Sequence, residues 1–251
     1  MPPRVAIPVP HSGDPAYAER ALPQYEHAIE MAGGLPVRIP LDLPAEAASE
    51  LIATCDAVLL PGSRADVDPA QYAQPRHAAT ADTDLPRDRA DQLLMADADR
   101  NRKPILGICY GLQTLNVYRH GSLLQDIAGS LPEDKRSINH AIGRKMPKAH
   151  TVQVEPGSRL AEIVADGSGA GLEFVVNSSH HQSADRVGLG LRAVAWSPSD
   201  GVVEALEGTD PQHFVLAVQW HPERSVDDDE PSRAIFRALI AAAEEQTGRR
   251  S

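Results

Sequence analysis

Short apolar runs, bounded by turn residues and separated by stretches of helical period, constrain this chain more than any other feature. That alternation is the pattern of a parallel sheet covered by helices. Arg4 to Val9 is the first run, Leu35 to Ile39 the second, and Ala57-Val58-Leu59-Leu60 the third, ending at Pro61-Gly62. Between them, Pro23 to Met31 places Tyr25, Ala28, Ile29 and Ala32 on one face and stops at Gly33-Gly34, and Ala45 to Thr54 forms a short helix. The opening therefore reads β-α-β-α-β. Helices are predicted again over 87–102, 112–119 and 231–245, the last with Ile235, Leu239 and Ile240 inward. Further strands are predicted over 104–108, 151–154, 173–176, 191–195, 202–206 and 214–219.

Two stretches break the pattern. From Gly62 to about Leu85, residues such as Asp66, Asp68, Pro69 and Pro75 deny both helix and strand, and loops of that length usually carry function or disorder. Gly129 to Ala149 is polar and locally basic, with Lys135, Arg136, Arg144, Lys145 and Lys148, and reads as a second long loop whose charges form a solvated face. No repeat or linker interrupts the 251 residues, so 1–251 is read as a single domain with 246–251 a frayed tail.

Lys and Arg number 24 against 35 Asp and Glu, a net charge of −11, which works against binding a nucleic-acid backbone. No run approaches the 18 or so apolar residues of a membrane span, and the first residues do not read as a signal peptide. Two cysteines make no disulfide framework, so the expected setting is the reducing cytoplasm.

The chemistry concentrates at two strand ends. Gly107-Ile108-Cys109-Tyr110-Gly111-Leu112-Gln113 puts a cysteine on a tight strand-to-helix turn, where a helix N-terminus favours the thiolate. Cys55, with no glycine around it, reads as a small packing residue. A thiolate needs a base and the base an orienting group. Gln219-Trp220-His221-Pro222-Glu223 supplies both directly after an apolar run, and open α/β sheets bind ligands at the carboxyl ends of their strands.

Together, Gly-x-Cys-x-Gly-x-Gln at 107 to 113 and Gln-x-His-Pro-Glu at 219 to 223 resemble the class I glutamine amidotransferases. More narrowly, Asp66-Val67-Asp68-Pro69, Asn116-Val117, Gly121 to Asp126, Asn177-Ser178-Ser179-His180-His181-Gln182 and Asp200 to Ala205 resemble the γ-glutamyl-γ-aminobutyrate hydrolases, in order over about residues 4 to 225. The resemblance implies a flavodoxin-like α/β fold, an open, mostly parallel sheet with helices on both faces. It implies a thiol hydrolase of γ-glutamyl amides in polyamine or γ-aminobutyrate metabolism, with Cys109 as nucleophile, His221 as general base and acid, and Glu223 as its orienter.

By the same resemblance, backbone N–H groups of Gly62, Ser63 and Tyr110 would meet the oxyanion, and Gln113, Ser178, Ser179, His180, His181 and Gln182 would hold the γ-glutamyl group. Three positions depart from the family pattern: Tyr110 stands where arginine is frequent, Ser63 where a second glycine is common, and His120 where a Gly-Gly pair usually precedes Ser122. No cofactor is implied. A metal on His180, His181, His221 and Glu223 is disfavoured by their spacing, and Asp66 and Asp68 read as loop caps. The expected partner is a small γ-glutamyl substrate, with homo-oligomerisation left open. The rival readings are a glutaminase subunit feeding ammonia to a separate synthetase, and a non-catalytic binder or redox sensor.

Overall fold

The computed structural model describes residues 1–143, 146–165 and 172–250. In chain order the elements are β1 (Arg4–Pro8), α1 (Pro15–Met31), β2 (Leu35–Ile39), α2 (Ala45–Ala53), β3 (Ala57–Leu60), α3 (Leu85–Asn101), β4 (Ile105–Ile108), α4 (Tyr110–Tyr118), β5 (Leu123–Leu124), α5 (Ile127–Ser130), β6 (His150–Val154), α6 (Arg159–Val164), β7 (Leu172–Val176), β8 (Ser183–Ala184), β9 (Leu191–Trp196), β10 (Val203–Gly208), β11 (Val215–Val218) and α7 (Glu230–Arg250).

Among the described residues the main sheet has the order β2-β1-β3-β4-β11-β10-β9-β6-β7. The five strands from β2 to β11 run parallel, the strand order of the flavodoxin-like fold. The remaining four extend the sheet antiparallel. Strand alternation sorts the core into two layers. Val5, Ile7 and Leu59 face one way and pack on Tyr25, Ile29, Leu160, Phe236 and Leu239 of α1, α6 and α7. Ala6, Val58 and Leu60 face the other and meet Ile52, Leu94, Met95 and Leu112 of α2, α3 and α4. Each fully buried aliphatic side chain contributes about 1.5–3 kcal/mol. Helices thus cover both faces, as the resemblance implies.

Several boundaries move. α1 begins at Pro15, eight residues before the expected start, because the Asp14 side chain caps the Tyr17 N–H at 2.9 Å and Pro15 suits the first turn. Pro23, read as a start signal, lies inside the helix, which is held by a buried face of Ala18, Leu22, Tyr25 and Ile29. At the other terminus α7 continues to Arg250, so residues 246–250, expected to fray, are helical, and the Gln246 amide donates to the Asn101 carbonyl at 2.6 Å.

The 62–85 loop contains a single 3₁₀ turn, Pro69–Tyr72, capped by Asp68 through a 3.0 Å bond from the Ala70 N–H, as expected of a loop cap. The second loop holds α5 and a 3₁₀ turn at Glu133–Lys135. Its Lys135, Arg136 and Lys148 are exposed, and Arg144 and Lys145 lie outside the described residues. β5 and β8, a two-stranded ribbon, were not legible as strands in so short a span.

Candidate active site

Cys109 is the first residue after β4. Its N–H donates to the Val218 carbonyl of β11 at 2.8 Å, and its backbone is bent to φ 54°, ψ −104°, a strained turn held only because its surroundings over-determine it. The bend brings α4 hard against β3: a Cβ on Gly111 would lie 2.0 Å from the Leu60 carbonyl oxygen, and one on Gly107 would lie 2.8 Å from the carbonyl oxygen of Gly111. Only glycine fits at 111. The elbow that the sequence predicts is therefore present, with α4 starting at Tyr110.

β11 lies beside β4 with Val218 opposite Ile108, so the residues after the two strands emerge at one carboxyl edge. There His221 Nδ1 lies 2.8 Å from Glu223 Oε1, both side chains buried. Although burial works against it, the adjacent imidazole holds the Glu223 carboxyl below its usual value. Asn177 clamps the same residue from the side. Its amide Nδ2 donates to the His221 carbonyl at 2.8 Å and its Oδ1 accepts the His221 N–H at 3.0 Å.

Cys109 opens onto a cavity of about 310 Å³, shared with Ser63, Tyr110, Gln113, Ser179, His180, His181 and Gln182. A larger cavity of about 590 Å³ lies at the opposite edge, between α6, α7 and the residues before β11, and touches none of these. Burial pushes the Cys109 thiol up to about 12; Arg224 pulls it down, while Glu223 pushes it further up. Loss of solvent thus opposes the pull that the helix N-terminus is expected to exert toward the thiolate.

Two of the expected binding groups point elsewhere. The Gly62 N–H is taken by the Tyr25 hydroxyl at 3.1 Å, so it is not an available oxyanion donor. Ser178 is fully buried with its hydroxyl donating to the His140 carbonyl at 2.8 Å, which makes it a loop brace rather than a cavity wall.

The others line the cavity with part of their polar capacity engaged. Gln113 Nε2 donates to the Gln182 carbonyl at 3.2 Å and the Gln219 Oε1 at 3.3 Å. Ser179 Oγ accepts from Arg224 at 2.7 Å, His181 lies 3.0 Å from Asp66, and Gln182 keeps a buried Oε1 with no hydrogen-bond partner. His180 faces Glu204, His181 faces Asp66, and His221 and Glu223 face each other, so the four do not converge on one ion. His140, His150, His180 and Glu204 do converge, with four donor atoms within 4.8 Å of one another.

The three departures acquire physical reasons. Tyr110 is buried, its hydroxyl donates to Asp88 Oδ1 at 2.5 Å, and the Arg87 guanidinium lies 4.9 Å over its ring. Arg87 itself is wholly buried, paired with Asp91 at 2.8 Å and donating to the Pro10 and Pro61 carbonyls at 2.9 and 2.7 Å. Ser63 Oγ accepts the Ala65 N–H at 3.1 Å and turns the loop. His120 has φ 65°, the left-handed conformation in which glycine is cheapest, whereas a Cβ at Gly121 would meet Asn116 at 2.5 Å. The second glycine of the pair is thus the indispensable one. Arg224 went unrecognised in the sequence, its only signal being that it follows Glu223 directly, while Asn177 stood out as the first residue of the 177–182 segment expected to hold substrate but instead clamps His221.

The comparisons with known proteins agree with this frame. A protein from Escherichia coli O157:H7 named gamma-glutamyl-gamma-aminobutyrate hydrolase is 36% identical over 224 residues, 88% of this chain and 85% of that one. A Mycobacterium tuberculosis relative that carries a glutamine amidotransferase name is 37% identical over 228 residues, 90% of this chain and 68% of that one. A solved Thermoplasma acidophilum protein that carries a GMP synthase name superposes with a TM-score of 0.67 at 16% identity, covering 100% of this chain and 98% of that one, a likeness of fold. Residues 9–223 match the Peptidase C26 model, and with Cys109 and His221 set at adjoining strand ends the chain belongs to the Peptidase C26 family of class I glutamine amidotransferase-like enzymes.

Proposed function

We propose that the chain, working as a single hydrolase domain, cleaves γ-glutamyl amides of small amines through a Cys109 thioester. The observation that carries this reading is the pairing of an elbow cysteine on a cavity with a buried His221–Glu223 couple at the next strand end. Glu223 engages Nδ1 of His221, so the movement of protons falls to Nε2. The buried thiol keeps its proton until substrate arrives. Sγ then attacks the γ-carbonyl carbon as its proton passes to His221, and the oxyanion forms against the backbone N–H groups of Ser63 and Tyr110. The C–N bond breaks as His221 returns that proton to the departing amine. Water, giving a proton to His221, attacks the thioester, and glutamate leaves as the thiol is restored.

The relative named for γ-glutamyl-γ-aminobutyrate supports this substrate class, and the lining of Ser63, Gln113 and Gln182 offers polar groups for the α-amino and α-carboxyl ends. The test is glutamate release from a panel of γ-glutamyl amides beside free glutamine, with Cys109→Ala as blank. Hydrolysis of the γ-aminobutyrate amide, with kcat/KM above that for glutamine, is expected. Glutamine as sole substrate would make the chain the glutaminase partner of a synthetase, and no release from any compound would make it a binder or sensor.

A further inference from the structure

The buried cluster around Glu204 takes no part in the chemistry above, although it includes His180 and the Asp200–Ala205 segment that stood out in the sequence. Its four members come from four places: His140 in the second long loop, His150 at the start of β6, His180 in the loop after β7, and Glu204 in β10. None of the four is more than 6% exposed. Glu204 Oε1 lies 3.3 Å from His140 Nδ1, 3.3 Å from His150 Nε2 and 3.8 Å from His180 Nε2. Yet none of those nitrogens and neither oxygen of Glu204 makes a hydrogen bond of acceptable geometry.

The far side of each ring explains why. His140 Nε2 lies 2.8 Å from Asp200 Oδ2, His150 Nδ1 lies 3.1 Å from the Thr151 carbonyl, and His180 Nδ1 lies 2.8 Å from the Gln182 carbonyl. All three partners are acceptors, so these ring nitrogens carry the protons. In a neutral imidazole the opposite nitrogen is then a bare lone pair. With all three rings neutral, three lone pairs and a carboxylate face one another in a space without solvent, an arrangement that repels itself unless a cation sits among them, either a metal ion or a second proton on His140 between Asp200 and Glu204. A proton on the far nitrogen of a ligating histidine, held by a carboxylate or carbonyl, is also the usual outer support of a metal site. Tetrahedral zinc with bonds of about 2.0–2.1 Å spaces its ligand atoms roughly 3.3–3.4 Å apart; His140 and His150 already stand at 3.3 Å from Glu204, while His180, at 3.8 Å, would have to draw in by a few tenths of an ångström.

We propose that His140, His150, His180 and Glu204 bind one divalent transition metal, zinc by their nitrogen and oxygen donors, as a closed four-ligand structural site. Its work is to pin the cavity wall. The His140 carbonyl accepts from the His180 N–H and the Ser178 hydroxyl, and the Gly143 N–H donates to the Ser178 carbonyl. A metal on His140 and His180 therefore locks the loop before β6 to the loop that carries Ser179, His181 and Gln182, and fastens both to the sheet through Glu204. No water position is left among four protein donors, so the site takes no part in hydrolysis.

The full chain, refolded with zinc after denaturation in chelator and freed of excess metal, is assayed by elemental analysis and thermal unfolding. One zinc per chain is expected, with a higher Tm than the chelated protein. Cobalt in its place should give the intense visible absorption of a tetrahedral site. Glu204→Gln and His150→Ala should abolish stoichiometric uptake. Asp200→Asn, which touches only the outer nitrogen of His140, should weaken affinity about 10–100-fold while keeping the fold. Cys109→Ala should leave uptake intact, which separates this result from the hydrolytic reading. A chain with native circular dichroism that takes up neither metal, or uptake unchanged in Glu204→Gln and His150→Ala, would overturn the proposal.

Discussion

Two buried histidine–carboxylate groupings, one just after β11 and one around Glu204 of β10, are built by opposite rules. In one, His221 and Glu223 are two residues apart on a single strand end, and the cavity beside them is open to a substrate. In the other, Glu204 is ringed by three histidines from three separate segments, and all four residues are buried, with only His180 also reaching the cavity wall. A group that must give and take protons keeps one nitrogen positioned and one for transfer; a group that must only hold has every inner donor aimed at one point. Burial of an imidazole beside a carboxylate therefore says little about its role until the partner of the second ring nitrogen is known.

The sharpest way to break this contrast is to exchange the consequences of mutation. Cys109→Ala and His221→Ala should each lower kcat/KM on γ-glutamyl amides by about 10⁴–10⁶ while leaving metal content unchanged. Glu204→Gln should do the reverse, losing the metal and raising KM more than it lowers kcat. Steady-state kinetics beside elemental analysis reads both; a metal loss in His221→Ala would show the two groupings to be one. Within the first grouping, Glu223→Gln should cost roughly a hundredfold less than His221→Ala, because an orienting group acts by position alone.

Next in size is a test of the elbow. Gly111→Ala places a methyl against the Leu60 carbonyl and should lower stability by about 3 kcal/mol or more in urea unfolding. Smaller is a difference between the two thiols. Cys109, which lines the cavity, should be alkylated faster than Cys55, which is packed among Ile52 and Val58. Because burial pushes Cys109 up to about 12, its thiolate fraction rises with every unit of pH across the neutral range, and the alkylation rate should climb without a plateau below pH 10. A plateau near neutrality would reveal a preformed thiolate. The smallest effect is His120→Gly, which relieves a left-handed residue and should change stability by no more than about 1 kcal/mol, toward the stable side.

What could be read from the residues alone follows the reach of each signal. Cys109, His221 and Glu223 are marked locally, by glycines and a proline that shape the turns on which they sit. β3, β4 and β11 were legible because their runs are apolar throughout, as strands buried on both faces must be, whereas the edge strand β2 carries the exposed Arg38 and was marked by the Gly33-Gly34 stop before it. The start of α1 was missed because Pro23 is a strong local punctuator, and only the buried face shared by Ala18 and Tyr25 overrides it. Gly62 was assigned a donor role that Tyr25, thirty-seven residues earlier, takes away. The Glu204 cluster was illegible for the same reason on a larger scale: its spacings of 10, 30 and 24 residues match no ligand motif, and only the antiparallel end of the sheet brings them together.

Arg87 bears on the order in which the molecule can assemble. Its guanidinium is bonded to the chain just after β1, to the chain just after β3 and to Asp91 one helical turn on, and it covers Tyr110 of α4. Removing it from water before all of these are in place would strand a charge at a cost of several kcal/mol. Until β1, β3 and α4 have met, α3 must therefore keep this face hydrated. The last closure of that layer is all-or-none, and partly assembled chains are held loose at the very place where the elbow cysteine will stand.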